Sequence, residues 1–247
     1  MRQSIELIAK FPTIIAYAYN IYRHSVQGRS LHIRHPRENL SIAENFLYMM
    51  KHENYSELDA RMLDLLLIIQ AEHGGANIKV INMFHHLKEA IKDWKNVTEL
   101  DIYLKRMLNK EAYDKTGLIY GIGHAVYTLS DPRAVELKKL AGELAKEKGR
   151  EDEYEFLKLI EQEGIKCLQE HRGGSKPACA NLDFYSGFIY EMIGLPQEIY
   201  TPIFAMARIV GWTAHRIEEL NFEGRRIIRP AYKNILGELD YTPIDER

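Results

Sequence analysis

Cysteine is scarce in this sequence. Cys167 and Cys179 are the only two among 247 residues, too few for a disulfide framework, so a reducing compartment, the cytoplasm, is expected. Long apolar runs are missing too. The longest, 63–69, is interrupted by Asp64 and falls well short of the roughly 20 apolar residues of a membrane span. The start, MRQSIELIAKFPTII, carries Glu6 and Lys10 among its apolar positions and lacks the unbroken apolar core of a signal peptide. Charge of one sign is also missing: 33 Lys+Arg face 35 Asp+Glu, a formal charge of -2. That balance gives no general pull toward nucleic acid or an anionic membrane, and neither is expected as a partner. His32 and His35 lie in a basic loop, HIRHPR, without metal-ligand spacing. No Cys/His pattern fits zinc, no GxxxxGK[ST] loop occurs, and Gly121-Ile-Gly123 alone is not a dinucleotide fingerprint. Neither a metal nor a cofactor is expected.

What the sequence does have is helical punctuation. Ser41 and Glu44 form a capping box ahead of Phe46, Leu47 and Met49. Ser56 can cap a helix whose stripe is Leu58, Met62, Leu65, Leu66 and Ile69, and Val80, Ile81, Phe84, Leu87 and Ile91 mark another. Thr98 is the expected cap of a short helix through Leu108. Asp131-Pro132 starts a helix that should end near Gly149, and Thr201-Pro202 repeats the device ahead of Phe204, Ile209 and Trp212. The adjacent His85 and His86 read as solvated. Strand signals are weak, apart from 225–228. The expectation is an all-α architecture in two lobes, with loops near 27–37, 114–123 and 172–180.

Three segments concentrate chemistry. In Ala71-Glu-His-Gly-Gly-Ala-Asn77 the glycines beside His73 let backbone approach a ligand, or simply cap a helix. In Tyr120-Gly-Ile-Gly-His-Ala-Val-Tyr-Thr-Leu-Ser-Asp-Pro-Arg133, His124 sits in a Gly-rich turn. Arg133 falls in the first turn of the next helix, where a cation opposes the helix dipole. An anionic ligand would relieve that cost, and so would a neighbouring acid. In Ala180-Asn-Leu-Asp-Phe-Tyr-Ser-Gly187, Asp183 lies between Leu182 and Phe184. Apolar surroundings raise a carboxyl pKa and make it a better base, while helix N-cap is the structural alternative.

Together these segments resemble the citrate synthase family. GIGHAVYTLSDPRA is similar to its GFGHxVYxxxDPR signature and ANLDFYSG to its NVDFYSG motif. TPIFAMARIVGWTAHRIEEL resembles its FAxARxxGWxAH helix, and RIIRPAY its terminal RIxRPxxxY motif. All four stand in the family's order, and LIAKFPTIIAYAY and LSIAENFLYMM resemble upstream segments. Two departures stand out. The chain starts at what looks like the middle of the family's large domain. The family also has two histidine motifs before GIGH, whereas LLLIIQAEHGG and HGGANIKVINMF here share the single His73. The expectation is a shortened member that lacks the N-terminal region and an internal segment near His73.

The resemblance implies a partial large helical domain, 1–77 with 198–247, and a small domain, 78–197, carrying the CoA and catalytic loops. It implies condensation of acetyl-CoA with oxaloacetate to citrate and CoA. Asp183 would take a methyl proton, His73 would hydrogen-bond the thioester oxygen, and His124 would polarise the ketone. Arg133, Arg208 and Arg229 would clamp carboxylates, Phe204 would line the pocket, and Ile119, Tyr120, Gly121, Ile122 and Gly123 would contact CoA. The family is homodimeric, with the last arginine crossing from the partner subunit. The lost segment supplies dimer helices there, which argues for a monomer or a loose association here, and one histidine cannot fill two positions. Two readings therefore stand: an acyltransferase slowed by truncation, or a non-catalytic remnant that binds a dicarboxylate, CoA or a protein.

Overall fold

The computed structural model describes residues 1–52, 54–71, 77–124, 127, 129–174, 177–221, 240 and 242–246. Among them the architecture is all helical. In chain order come α1 (Arg2–Gln27), α2 (Ile42–Lys51), α3 (Glu57–Ile69), α4 (Asn77–Ala90), α5 (Val97–Leu108), α6 (Pro132–Glu147), α7 (Glu151–His171), α8 (Asp183–Met192) and α9 (Tyr200–Asn221). The expected strand at 225–228 lies outside the described residues.

Local chemistry sets most of the boundaries. At α2 the Ser41 side chain accepts from Glu44 N–H while Glu44 returns a bond to Ser41 N–H. Ser56 and Asp59 do the same at α3, so each pair satisfies two otherwise orphaned donors. Asp131 caps α6 with Pro132 in the first turn. Gly149 takes φ +65 just beyond its end, and Arg150 N–H returns to Ala145 O, the left-handed stop that glycine favours. Three expected details are corrected. Asn96, not Thr98, caps α5 through Glu99 N–H. Helix α9 begins at Tyr200, continuous with a 3-10 turn at Gln197–Ile199, so Thr201 is already inside it. His85 and His86 are half-buried and partnered, by Glu191 and by Tyr103 Oη at 2.6 Å.

Helix α8 is the axis of the core. Every residue of Asp183–Met192 except Glu191 is buried, the pattern of a helix covered on all sides. It packs on α4 and α6, α5 packs on α7, and α1 and α3 each pack on α2 and α9. Phe84 meets Phe188 edge-on at 5.5 Å. Gly187 is what admits α4, because a Cβ there would lie 2.8 Å from Asn77 O. Asp59, 1% exposed, ties the start of α3 to the ends of α2 and α6: Lys148 Nζ lies 2.8 Å from its Oδ1, while Lys51 reaches its Oδ2 at 4.0 Å and donates to Ile193 O.

Candidate active site

Two loops distant in sequence are fastened together backbone to backbone. Gly123 N–H donates to Cys179 O at 2.8 Å and Asn181 N–H to Gly121 O at 2.8 Å, around an antiparallel bridge between Ile122 and Ala180. Glycine is required at 121: its φ is +82, and a Cβ would sit 2.8 Å from Phe184 Cδ2. Asn181 completes the joint. Its Nδ2 donates to Gly123 O at 3.2 Å and its Oδ1 accepts from Asp183 N–H at 3.0 Å. That bond corrects the structural alternative for Asp183: Asn181 satisfies the helix start, while Asp183 is the first residue of α8 and is 7% exposed.

The joint sets the His124 loop beside the start of α8. The His124 side chain is 6% exposed, and its Nδ1 accepts from Tyr127 N–H at 2.9 Å, which leaves Nε2 as the nitrogen that carries the proton when the ring is neutral. Nε2 lies 3.7 Å from Asp131 Oδ2. Arg133 grips the same carboxylate with both prongs, Nε to Oδ1 at 3.0 Å and Nη2 to Oδ2 at 2.9 Å. So the neighbouring acid anticipated for Arg133 is present. Burial pushes the Asp131 pKa up, but the bonds from Arg133 outweigh it and hold the carboxyl below its ordinary range. Arg133 is pushed up in turn, chiefly by its bond to Asp131, with Asp183 adding to its field. A carboxylate that caps α6, fixes an arginine and faces a histidine is a positioning group.

Ile119, Tyr120 and Ile122 turn their side chains into the core, at 4%, 8% and 9% exposure. Tyr120 is anchored by its hydroxyl to Asp114 Oδ2 at 2.6 Å, with Lys79 Nζ 5.1 Å from its ring centre. On α9, Phe204 is half-buried one turn before Arg208. Arg208 Nη1 is buried with no hydrogen-bond partner among the described residues. A buried guanidinium nitrogen without an acceptor is costly, and an anion is the group that removes the cost. Gln70 Nε2 and Asn77 Nδ2 are likewise buried with no hydrogen-bond partner among the described residues; Gln70 is held by Tyr190 Oη, which donates to its Oε1 at 2.6 Å. Gln70 and Asn77 flank residues 72–76. His73 and Arg229 lie outside the described residues.

Sequence reasoning missed Asn181 and the threefold role of Asp131. Asn two residues ahead of Asp183 is an Asx-turn signal, and Asp131-x-Arg133 places opposite charges two apart at a helix start. Neither needs more than local sequence to be noticed.

Comparison with known proteins bears on the family and the fold. The citrate synthase C-terminal domain model matches residues 1–77 and 72–231. Citrate synthase of Synechocystis sp. is 31% identical across 98% of this chain and 64% of its own length. Among solved structures, citrate synthase from Pyrobaculum aerophilum superimposes with a TM-score of 0.72 at 29% identity, over 100% of this chain and 64% of that one. The ternary complex of carboxymethyl coenzyme A and oxaloacetate with the Thermoplasma acidophilum citrate synthase gives 0.63 at 27% identity, over 99% and 68%. The chain thus spans about two thirds of the length of these relatives. The two matched stretches share residues 72–77. The Synechocystis alignment also runs over 281 positions against 247 residues here, so the relative carries intervening residues that this chain lacks. With the model matched across nearly all of its residues, this chain belongs to the citrate synthase family.

Proposed function

We propose that the chain binds oxaloacetate and condenses it with acetyl-CoA, at a rate held down by the missing internal segment. The observation that carries the reading is the joint of 121–123 to 179–181, which holds the His124 loop beside Asp183 at the start of α8, while Arg208 Nη1 is buried with no hydrogen-bond partner among the described residues. In this reading Arg208 and the free edge of Arg133 take the carboxylates, and Nε2–H of His124 polarises the ketone. Asp183 removes a methyl proton of acetyl-CoA, and the enolate carbon attacks the ketone carbon. Water then cleaves the thioester, releasing CoA. The ligands of the Thermoplasma relative, carboxymethyl coenzyme A and oxaloacetate, support the reading by class: a coenzyme A derivative and the same dicarboxylate. His73 and Arg229 are proposed for the thioester oxygen and a carboxylate, with Phe204 lining the pocket and 119–123 beside CoA.

The matched stretches that overlap at 72–77 favour a second reading, a remnant that binds the dicarboxylate without turnover. Losing one oxyanion-type donor costs about 100–1,000-fold in rate. Two measurements separate the readings. Calorimetry should detect oxaloacetate binding that Arg208→Leu weakens at least tenfold; absence of heat and of thermal shift with the native chain would refute both. Thiol release from acetyl-CoA with oxaloacetate should be measurable but far below that of the Synechocystis enzyme, and no release above background leaves only the remnant.

A further inference from the structure

The segment 119–123 is held from three sides. Gly121 presses on α8 and α4: a Cβ there would lie 2.8 Å from Phe184 Cδ2 and 3.0 Å from Val80 Cγ2. On α7 a Cβ at Gly164 would overlap Ile122 Cδ1, so that glycine is the notch that seats Ile122. The third hold comes from outside the core. Tyr120 is buried, but its hydroxyl donates to Oδ2 of the exposed Asp114 at 2.6 Å. Asp114 Oδ1 accepts from Thr116 N–H at 3.1 Å and from Thr116 Oγ1 at 2.7 Å. Partial burial of the Asp114 carboxyl pushes its pKa up, yet the bonds from Tyr120 and Thr116 outweigh that and hold the group below its ordinary range, with Lys79 adding to the pull.

The backbone around Asp114 is strained. Tyr113 at φ +55 and Lys115 at φ +58 flank it, and Lys110 lies nearby at φ +66; among the described non-glycine residues only His52 shares this left-handed region. Such conformations carry a cost for any residue with a Cβ and persist where the surroundings over-determine them. Here the loop turns onto one ring: Tyr113 meets Tyr120 edge-on at 6.5 Å and lies 4.8 Å from the His86 ring. Gly117 and Gly121, at φ +79 and +82, bracket Tyr120, and a glycine leaves the chain free to pivot. The Tyr120 hydroxyl bond is thus a restraint set between two pivots. We propose that Asp114 is a positioning residue for CoA, fixing 119–123 through Tyr120 without touching the substrate. The inference rests on the reading that places 119–123 beside CoA.

Calorimetry on the full chain, with CoA titrated in the presence of oxaloacetate, tests it. CoA carries phosphates, so removing an acid beside it should tighten binding if charge alone matters; loss of positioning weakens it instead. Asp114→Ala and Tyr120→Phe should each weaken CoA binding about fivefold. The double variant should be no weaker than the weaker single one, since both remove the same bond. Oxaloacetate affinity should stay within about twofold of the native value. Glu111→Ala, which removes an exposed acid on the same loop, should not weaken CoA binding. Circular dichroism checks that the variants fold, and Tyr120→Phe carries the test if Asp114→Ala does not. CoA binding unchanged or tighter in the variants, a loss shared equally by oxaloacetate, or an equal loss in Glu111→Ala overturns the proposal and leaves the CoA reading standing. A native chain that takes up no CoA overturns both.

Discussion

Replacing Gly211 by alanine sets two known effects against each other. In the interior of a helix Gly→Ala gains about 1 kcal/mol of propensity. At this position the new Cβ would meet the carbonyl oxygen of Ala71 at 2.6 Å, where ordinary contact begins at 3.4 Å. The obstructing atom is backbone, so no rotamer change relieves the overlap, and either α9 or the end of α3 must move. Overpacking of a close-packed site costs about 1–3 kcal/mol, and a clash with main chain belongs at the upper end. The net is a destabilisation of about 1–2 kcal/mol, lowering Tm by roughly 3–6 °C for a chain of this length. Gly164→Ala is the comparison, since its closest obstruction is Ile122 Cδ1, the far end of a side chain. It should cost less than Gly211→Ala in the same thermal melt. Because Arg208 stands one turn before Gly211, oxaloacetate affinity should fall with Gly211→Ala as well. A melting temperature equal to or above the native value would refute the reasoning, since propensity would then outweigh a contact that the packing of α9 on α3 makes unavoidable.

Three further outcomes follow from the charges and hydroxyls. Burial pushes Glu153 up, but its bonds to Arg150 and Lys88 win and bring it to about 2, from an ordinary 4.5. A lowered folded pKa gives stability that is fully present above pH 4.5 and is lost as pH falls toward 2. Glu153→Gln should therefore be less stable than the native chain at neutral pH, with the gap closing below pH 4.5 in urea titrations; a gap independent of pH would contradict it. Asp131→Asn leaves Arg133 without its ionic pair and should cost about 2–3 kcal/mol, below the range for a fully buried pair because Arg133 keeps some exposure. It should also weaken oxaloacetate binding, and unchanged affinity would remove Asp131 from the positioning role. Tyr190→Phe strips Gln70 Oε1 of its donor in a fully buried place and should cost about 1–3 kcal/mol by chemical denaturation, whereas replacement of a satisfied surface bond would cost almost nothing.

The parts of this fold that the sequence announces are those decided within four residues. Ser41 with Glu44, Ser56 ahead of its stripe, and Asp131-Pro132 each satisfy or anticipate backbone groups that lie next to them, so the signal and its physical cause coincide. Thr98 fails for a related reason: Asn96 also caps, two residues earlier, and nothing local ranks the two until Glu99 is seen accepting from Lys92 and Asp93 N–H as well. Helix α7 has a faint local signature because its buried positions, Phe156, Leu157, Ile160, Cys167 and Leu168, are scattered through a run of acids and lysines. The candidate site is legible in a different sense. Its residue types stand in the sequence, but the hydrogen bonds that unite residues 121–123 with 179–181 span nearly sixty positions, and no local pattern encodes them; only the order of motifs shared with a family pointed there. That Arg208 Nη1 finds no partner among the described residues lies further out of reach, because an arginine's spelling carries no record of whether its donors find acceptors. That information exists only after α9 is packed against α3 and α4. It is also what distinguishes the two arginines: Arg133 already shares the carboxylate of Asp131, and Arg208 Nη1 has no acceptor among the described residues.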